Sequence, residues 1–296
     1  MRTATIARKD LEDVVRSRLI WAVFGLFVLL MGIIGIASAS DGDSQITTEG
    51  LIGLFANLGA WLMVPVIGIM IGYMAIVGER QSGSLRILFG LGFTRRDVLT
   101  GKLLSRSMVI IIVTIASLLV MLVMAVFIAD SFDLGLFAQF AALSILLAVM
   151  FTAIAVAASA ITATRYRAMG AAIGAYVLFA MFWHPFAAGI HYLIVGELPA
   201  YEAPEWYFLL TRLNPLEAYN QVISVWTDQY VWGMIGWVTV VEDVSFEDAN
   251  SLLLTERVSG ELPFYLSDWF AGVIIILWVA VPIAIASWSF NRADLN

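Results

Sequence analysis

The chain has 296 residues, of which 61% are hydrophobic, with a mean hydropathy of +0.91 and a net charge of −7. A soluble domain carries about 45–50% apolar residues, so this composition excludes an ordinary soluble globule and points to a membrane protein. The absence of cysteine excludes disulfides, thiolate metal sites and cysteine nucleophiles.

In chain order, residues 2–18 are polar and basic, with Arg2, Arg8, Lys9, Arg16 and Arg18. Ile6, Leu11, Val14 and Val15 share a loose helical face, which suits a helix lying on the membrane surface; a solvated basic tail is the plainer alternative. No small-residue cleavage site follows the first apolar run, so it is expected to be a retained helix and not a signal peptide. Crossing a hydrocarbon core takes about 20 apolar residues in a helix. Six segments qualify: 19–39, 51–78, 107–129, 136–163, 168–188 and 269–289. Pro65 in the second and Pro282 in the last predict kinks, since neighbouring helices can re-satisfy the backbone they disturb. The fifth is expected to end near His184 and Pro185. The apolar residues 189–195 beyond it are expected to touch the membrane surface again.

The fold expected is therefore an all-α membrane protein with six transmembrane helices. An interfacial helix covers 1–18 and five spans cover 19–188. An extracytoplasmic insert covers 189–268, and the last span with its tail covers 269–296. Charge orients it. The N-terminal segment, the 79–106 loop, the 164–167 turn and the tail hold 14 of the 16 Lys and Arg residues. The loops 40–50, 130–135 and 189–268 hold 17 of the 23 acidic residues. The positive-inside rule then puts both termini in the cytoplasm of a multi-pass plasma-membrane protein. An outer surface this acidic suggests a high-salt habitat, such as that of a halophilic archaeon, where acidic surfaces stay hydrated. An ordinary acidic extracytoplasmic loop is the other reading.

The insert is rich in aromatics, among them Trp206, Tyr207, Phe208, Tyr219, Trp226 and Tyr230. They are most simply interfacial, because Trp and Tyr favour the headgroup level; a lid over an external exit is the functional alternative. Leu216, Tyr219, Val222, Ile223 and Trp226 have helical spacing over 215–226, while 231–241 are apolar and β-branched but too short to span.

Several functions are disfavoured by what the sequence lacks. Gly101-Lys102 has neither the upstream glycine nor the following Ser or Thr of a phosphate-binding loop, so this chain is not expected to bind ATP. The six segments hold almost no ionisable residue, which argues against proton- or ion-coupled transport, and no intramembrane catalytic constellation is visible. If the chain moves something actively, the energy comes from a partner. Gly68 and Gly72, and Gly170 and Gly174, are small-xxx-small pairs that suit helix packing, within the chain or between copies. His184 and His191 could share a helix face, and Met63, Met70 and Met74 share another. A metal role is conceivable for either set, but interfacial hydrogen bonding and plain packing are the simpler readings.

Residues 79–106 stand apart: Arg80, Arg86, Arg95, Arg96, Lys102 and Arg106 are set against only Glu79 and Asp97, between two apolar runs. This is expected to be a cytoplasmic loop built to contact another protein. Its Glu79-Arg80, followed by Gly83, Leu85, Leu88, Arg95, Arg96 and Gly101-Lys102, resembles the cytoplasmic loop of ABC-2 type transporter permeases. The segment 6–18 is similar to their N-terminal interfacial helix, and Arg212-Leu-Asn-Pro-Leu-Glu-Ala-Tyr219 to an Asn-Pro element in their last external segment. Within that superfamily the chain most resembles the permease of the nitrous-oxide-reductase maturation transporter. The resemblance implies a dimeric permease, formed with a second copy or a paralogue and served by separate ATP-binding subunits that hold ATP and magnesium. It also implies a coupling helix after the second span that seats in the ATPase. Glu79 and Arg80 would start that element, Gly83, Ser84, Leu85 and Leu88 would form its contact face, and Arg95, Arg96 and Lys102 would lie near lipid headgroups. For the last three, positive-inside anchoring alone is an equal reading. The function implied is the permease subunit of an ATP-driven transporter, expected to be an exporter; a non-transporting subunit that drives an extracytoplasmic partner, for signalling or metalloenzyme maturation, is the alternative.

Overall fold

Inside a bilayer no water is available to bond peptide groups, so an apolar chain resolves into helices that satisfy their own backbone. The computed structural model describes residues 2–15, 21–22, 25, 28–29, 32–33, 47–228, 230–231, 237, 242, 253–258 and 261–292. Among the described residues there are helices and no strand. Five helices are long and apolar enough to cross a membrane: Thr48–Ser82, Arg95–Phe127, Leu134–Ile161, Arg165–Val195 and Asp268–Arg292. They match the last five of the six expected spans. Most of the first, 19–39, lies outside the described residues.

α1 (Arg2–Val15) is a helix, not a tail, and it lies along α6 (Arg95–Ile128). Gly101 makes the approach possible, because a Cβ there would stand 2.9 Å from Ile6 Cγ2 and 3.2 Å from the Thr3 carbonyl. The next span is segmented. α2 (Thr48–Phe55) gives way to a π-helical stretch, Ala56–Met63, followed by α3 (Val64–Gly72) and, after a break, α4 (Val77–Ser82). The π-helical stretch sits just before Pro65, where the sequence predicts a kink. Proline has no N–H for the carbonyl four residues back. That carbonyl, Trp61, instead accepts a hydrogen bond from the Tyr176 hydroxyl at 2.8 Å. The break after α3 is closed the same way: buried Ser159 Oγ accepts from the backbone N–H groups of Ile76 and Val77, each at 3.0 Å.

Helix α6 begins twelve residues before the expected span. Thr94 and Asp97 form a reciprocal capping box, with Asp97 N–H to Thr94 Oγ1 at 3.1 Å and Thr94 N–H to Asp97 Oδ2 at 3.0 Å. The second half of the expected 79–106 loop is therefore helical, and short α4 and α5 (Ser84–Gly90) fill most of the first half. α7 (Leu134–Ile161) is the central helix, packed against α3, α6, α8 (Arg165–Val177) and the last helix. Gly68 and Gly72 of α3 face it directly. A Cβ at Gly72 would come within 2.6 Å of Ala155 Cβ and 2.8 Å of the Thr152 carbonyl.

The fifth expected span does not end at Pro185. After α8 a π-helical stretch, Leu178–Phe182, precedes α9 (Trp183–Val195), which closes on Gly196 at φ +91. The wide turn before Pro185 takes up the missing N–H, so the helix continues through the histidine and the residues beyond 188. The acidic insert is not an appendage. α10 (Glu205–Arg212) and α11 (Pro215–Thr227) meet at Asn214, whose Oδ1 caps α11 by accepting from Leu216 N–H at 3.0 Å. Asn214 Nδ2 donates to the Phe179 carbonyl in the π-helical stretch at 2.8 Å. Trp183 and the last helix's Trp278 donate from Nε1 to the Leu210 and Leu213 carbonyls, both at 2.9 Å. Leu216, Tyr219, Val222 and Ile223 are buried as their spacing predicts, and Tyr219 hydrogen-bonds Ser144 of α7 at 2.9 Å.

The interfacial reading of the insert's aromatics fails for Tyr207, Phe208 and Tyr219, which are fully buried. Tyr207 and Phe208 join a separate core with Ala187, Leu254 and Leu266, contributed partly by α12 (Leu254–Arg257). Their rings have enough apolar surface to close over within the insert itself. Most of 231–241 lies outside the described residues. α13 (Asp268–Arg292) runs through Pro282 as one helix.

The Gly72 contact sets a sign. Gly272→Ala, where nothing lies within 4 Å, should stabilise through helix propensity by up to about 1 kcal/mol. Gly72→Ala should instead destabilise by about 1–3 kcal/mol through overpacking. Thermal unfolding of the two variants in detergent checks this; a stabilised Gly72→Ala would mean that α3 and α7 do not touch as described.

Candidate functional site at the basic end

Glycine at 83 is required by the backbone. It sits at φ +78, the left-handed region, and turns the chain from α4 into α5. What lies on either side is anchored inward. Arg80 Nη1 donates to the Thr162 carbonyl at 2.9 Å, just past the end of α7, where a cation is also favoured by the helix dipole. Glu79 forms an ion pair with Lys102 of α6. Lys102 Nζ also reaches Asp10 Oδ1 of α1 at 2.6 Å, and Arg106 reaches the same oxygen at 2.9 Å. The Ser105 hydroxyl donates to the other Asp10 oxygen. Two carboxylates and two cations are thus matched, with Asp10 and Lys102 each only 5% exposed. Such a network holds α1, α4 and α6 in one arrangement.

Two expectations are corrected here. The resemblance puts Lys102 near lipid headgroups, but it is buried between two carboxylates. It also puts Leu85 in the contact face, but Leu85 is 3% exposed and packs with Ile6, Ala75, Val98, Leu99 and Phe290. The reason is helical phase: with Leu85 turned inward, Leu88 and Phe89 lie half-buried beside it, and Arg86, Ile87 and Leu91 turn outward. Ile87 and Leu91 are each 67% exposed. They border a groove of about 480 Å³ shared with Ile6, Asp10, Leu88 and Phe93. Ser84 stays half-buried, its hydroxyl on the Glu79 carbonyl at 3.4 Å.

Arg95 donates from Nη1 to the Phe290 carbonyl and lies 5.9 Å from that ring, tying α6 to the end of α13. Arg96 is exposed. Gly68 and Gly72 pack within the chain, whereas Gly170 and Gly174 are exposed with nothing within 4 Å. His184 and His191 are both on α9. His191 is buried, stacks on Trp206 at 5.5 Å, and has Nδ1 2.9 Å from the Glu197 carbonyl. Met63, Met70 and Met74 are half-buried. Among the described residues no three His, Asp or Glu side chains group as metal ligands.

The signal for α6's early start was in the sequence, as Thr94-x-x-Asp97. The pairing of Asp10 with Lys102 was not, because it depends on how α1 crosses α6.

Lys102→Met should destabilise by about 3–5 kcal/mol, since two carboxylates would lose their shared partner. Adding Asp10→Asn should restore part of the loss. Thermal unfolding of the single and double variants reads this out, and strictly additive effects would remove the network.

Comparison with known proteins agrees with this architecture. Residues 4–295 match the family described as ABC-2 family transporter protein. The chain is 31% identical over 298 residues to a probable ABC transporter permease protein NosY of Pseudomonas aeruginosa, covering 98% of each. It is 29% identical over 293 residues to a protein of the same description in Stutzerimonas stutzeri, covering 97% of each. These relatives lend no support to a halophilic archaeal origin. Membrane subunits of this kind are not themselves enzymes. With its helices apolar enough to cross a bilayer several times and a match over nearly its whole length, this multi-pass membrane chain belongs to the ABC-2 family of transporter permeases.

Proposed function

We propose that this chain is the permease subunit of an ATP-driven exporter, powered by a separate ATP-binding subunit that seats on the α4–α5 helix pair. The observation that carries the reading is an exposed apolar pair on a rigid mount. Ile87 and Leu91 face outward from a short helix whose other face is packed, and the Glu79–Lys102–Asp10 network fastens that mount to α1 and α6. Two large exposed aliphatics flanked by Arg86, beside an open groove, suit a protein partner. Leu85, Gly83, Glu79 and Arg80 then act from behind the contact face, by holding its shape. ATP and magnesium reside on the partner. Export is the direction of this reading, and the relatives' description as permeases favours transport over a purely mechanical role. A second permease copy or a paralogue completes the machine, and the exposed Gly170 and Gly174 face is available to it. ATP binding would then bias the pair between two access states.

The test is to purify the tagged chain gently from its native membrane and identify what accompanies it. An ATP-binding subunit should be present. Ile87→Glu or Leu91→Glu should weaken its retention by at least about tenfold, as expected for placing a carboxylate in an apolar contact. Neither variant should change thermal stability, because both side chains are exposed. Full retention in both variants would remove α5 from the interface.

A further inference from the structure

A second polar site lies at the acidic end, away from the coupling elements. α10, α11, α12 and the start of α13 border a cavity of about 40 Å³. At about 10–15 Å³ per water centre, it has room for about three waters. Three carboxyl groups, those of Glu217, Glu242 and Asp268, share it with two guanidinium groups, those of Arg212 and Arg257.

One pair is closed. Arg257 pairs with Glu242 and donates to the Tyr201 carbonyl at 3.0 Å, while Tyr207 donates to the other Glu242 oxygen at 3.0 Å. Arg212 is then the one cation for two carboxyl groups. It is 1% exposed, and its Nη2 reaches Asp268, at the start of the last span, at 4.0 Å. Its Nε and Nη1 bond no other group among the described residues, and cavity water can satisfy them together with Gln221 Oε1. Glu217 is 8% exposed and receives a hydrogen bond from Gln221 at 3.4 Å. Among the described residues no cation lies within ion-pair distance of it.

With all three carboxyl groups ionised, the cavity would hold one negative charge in excess. An unpartnered buried charge is costly, so the most deeply buried carboxyl without an ion partner takes up a proton instead. Asp268 keeps solvent contact, its side chain 41% exposed, and Glu242 has Arg257. Glu217 has neither.

We propose that Glu217 is a proton-binding site that governs how Arg212 ties α10 to α13. With Glu217 protonated, the guanidinium serves Asp268; with Glu217 ionised, it is drawn to the more deeply buried carboxylate, where attraction is less screened. The site is independent of the ATPase reading.

Burial pushes Glu217 up to about 7 from an ordinary 4.5, against the opposing pull of Gln221, Arg257 and Arg212. The other titratable or charged groups facing the cavity are Arg212 from α10, Tyr230 and Glu242 from the insert, Arg257 from α12, Asp268 from α13 and His184 from α9, with Tyr207 of α10 behind Glu242. Between about pH 4.5 and pH 7 the folded chain holds a proton that the unfolded chain has released. The stability this proton lends is complete below that window, is lost as pH rises through it, and is absent above it. Proton loss also weakens the tie between Arg212 and Asp268, and by reciprocity the tie favours the proton.

The experiment is thermal unfolding of the full chain in detergent from about pH 5 to about pH 8.5. The melting temperature of Glu217→Gln minus that of wild type should rise up to about pH 7 and be level beyond. Asp268→Asn should lower the melting temperature more at about pH 6 than at about pH 8, and by the same amount at both in a Glu217→Gln background. A difference between Glu217→Gln and wild type that does not vary with pH would overturn the proton site. An Asp268→Asn effect that is equal at the two pH values in the otherwise wild-type chain would overturn the exchange of partners. Should Glu217→Gln not fold, infrared spectra of wild type decide: a protonated-carboxyl band should be present at about pH 6 and fade with a midpoint of about 7, and no such band at the lower pH would overturn the proposal.

Discussion

The structure depends on one constraint: a helix interrupted among apolar neighbours must have its freed peptide groups bonded by something else. Here the bonds come from side chains on other helices. Tyr176 takes up the carbonyl before Pro65, Ser159 takes up the two N–H groups at the break before α4, and Asn214 takes up a carbonyl of the second π-helical stretch. Each closure is also a tertiary contact. The same atoms that make the irregular backbone tolerable fix which helices are neighbours. The insert is held by this means, since its α10–α11 corner is bonded to the spans through Asn214, Trp183 and Trp278.

The basic end follows a different logic. There the chain concentrates charge, and Lys102 and Arg106 are matched internally by Asp10 and Glu79. Lys102 reads as one more positive residue flanking a span, yet it serves as the meeting point of Asp10 and Glu79. Arg80 and Arg95 bond carbonyls at helix ends. On the α5 side what remains outward is Arg86, Arg96 and two aliphatic side chains, with Arg8 and Lys9 of α1 also exposed. The contact surface proposed for α5 is thus defined less by its charge than by the stiffness of its support.

Much of this was legible beforehand. Hydrophobic length marked the last five spans, because membrane burial leaves a signal in composition alone. The amphipathic spacing of 215–226 marked α11. The capping pair Thr94 and Asp97 was visible too, though overshadowed by the run of basic residues around it. The rest was not legible for physical reasons. Periodicity cannot say which face of a short helix such as α5 turns inward when Leu85, Ile87, Leu88 and Leu91 are all apolar. Nor can it show that Pro185 falls just after a wide turn that lets the helix continue, or that Tyr207 and Phe208 close over one another's neighbours and do not reach the headgroups. Those outcomes are decided by tertiary neighbours.

Stiffness at the basic end also has a mechanical corollary. Helix α6, at about 1.5 Å per residue over its 34 residues, is about 51 Å long, well beyond a hydrocarbon core of about 30 Å. Its overhang carries α1 and α4 clamped to it, so a push delivered by the proposed partner would meet no joint among α1, α4 and α6. Compliance must lie elsewhere along the load path. The two π-helical stretches, with wider turns and backbone bonds lent by Tyr176 and Asn214, are the places where the spans can bend without unwinding.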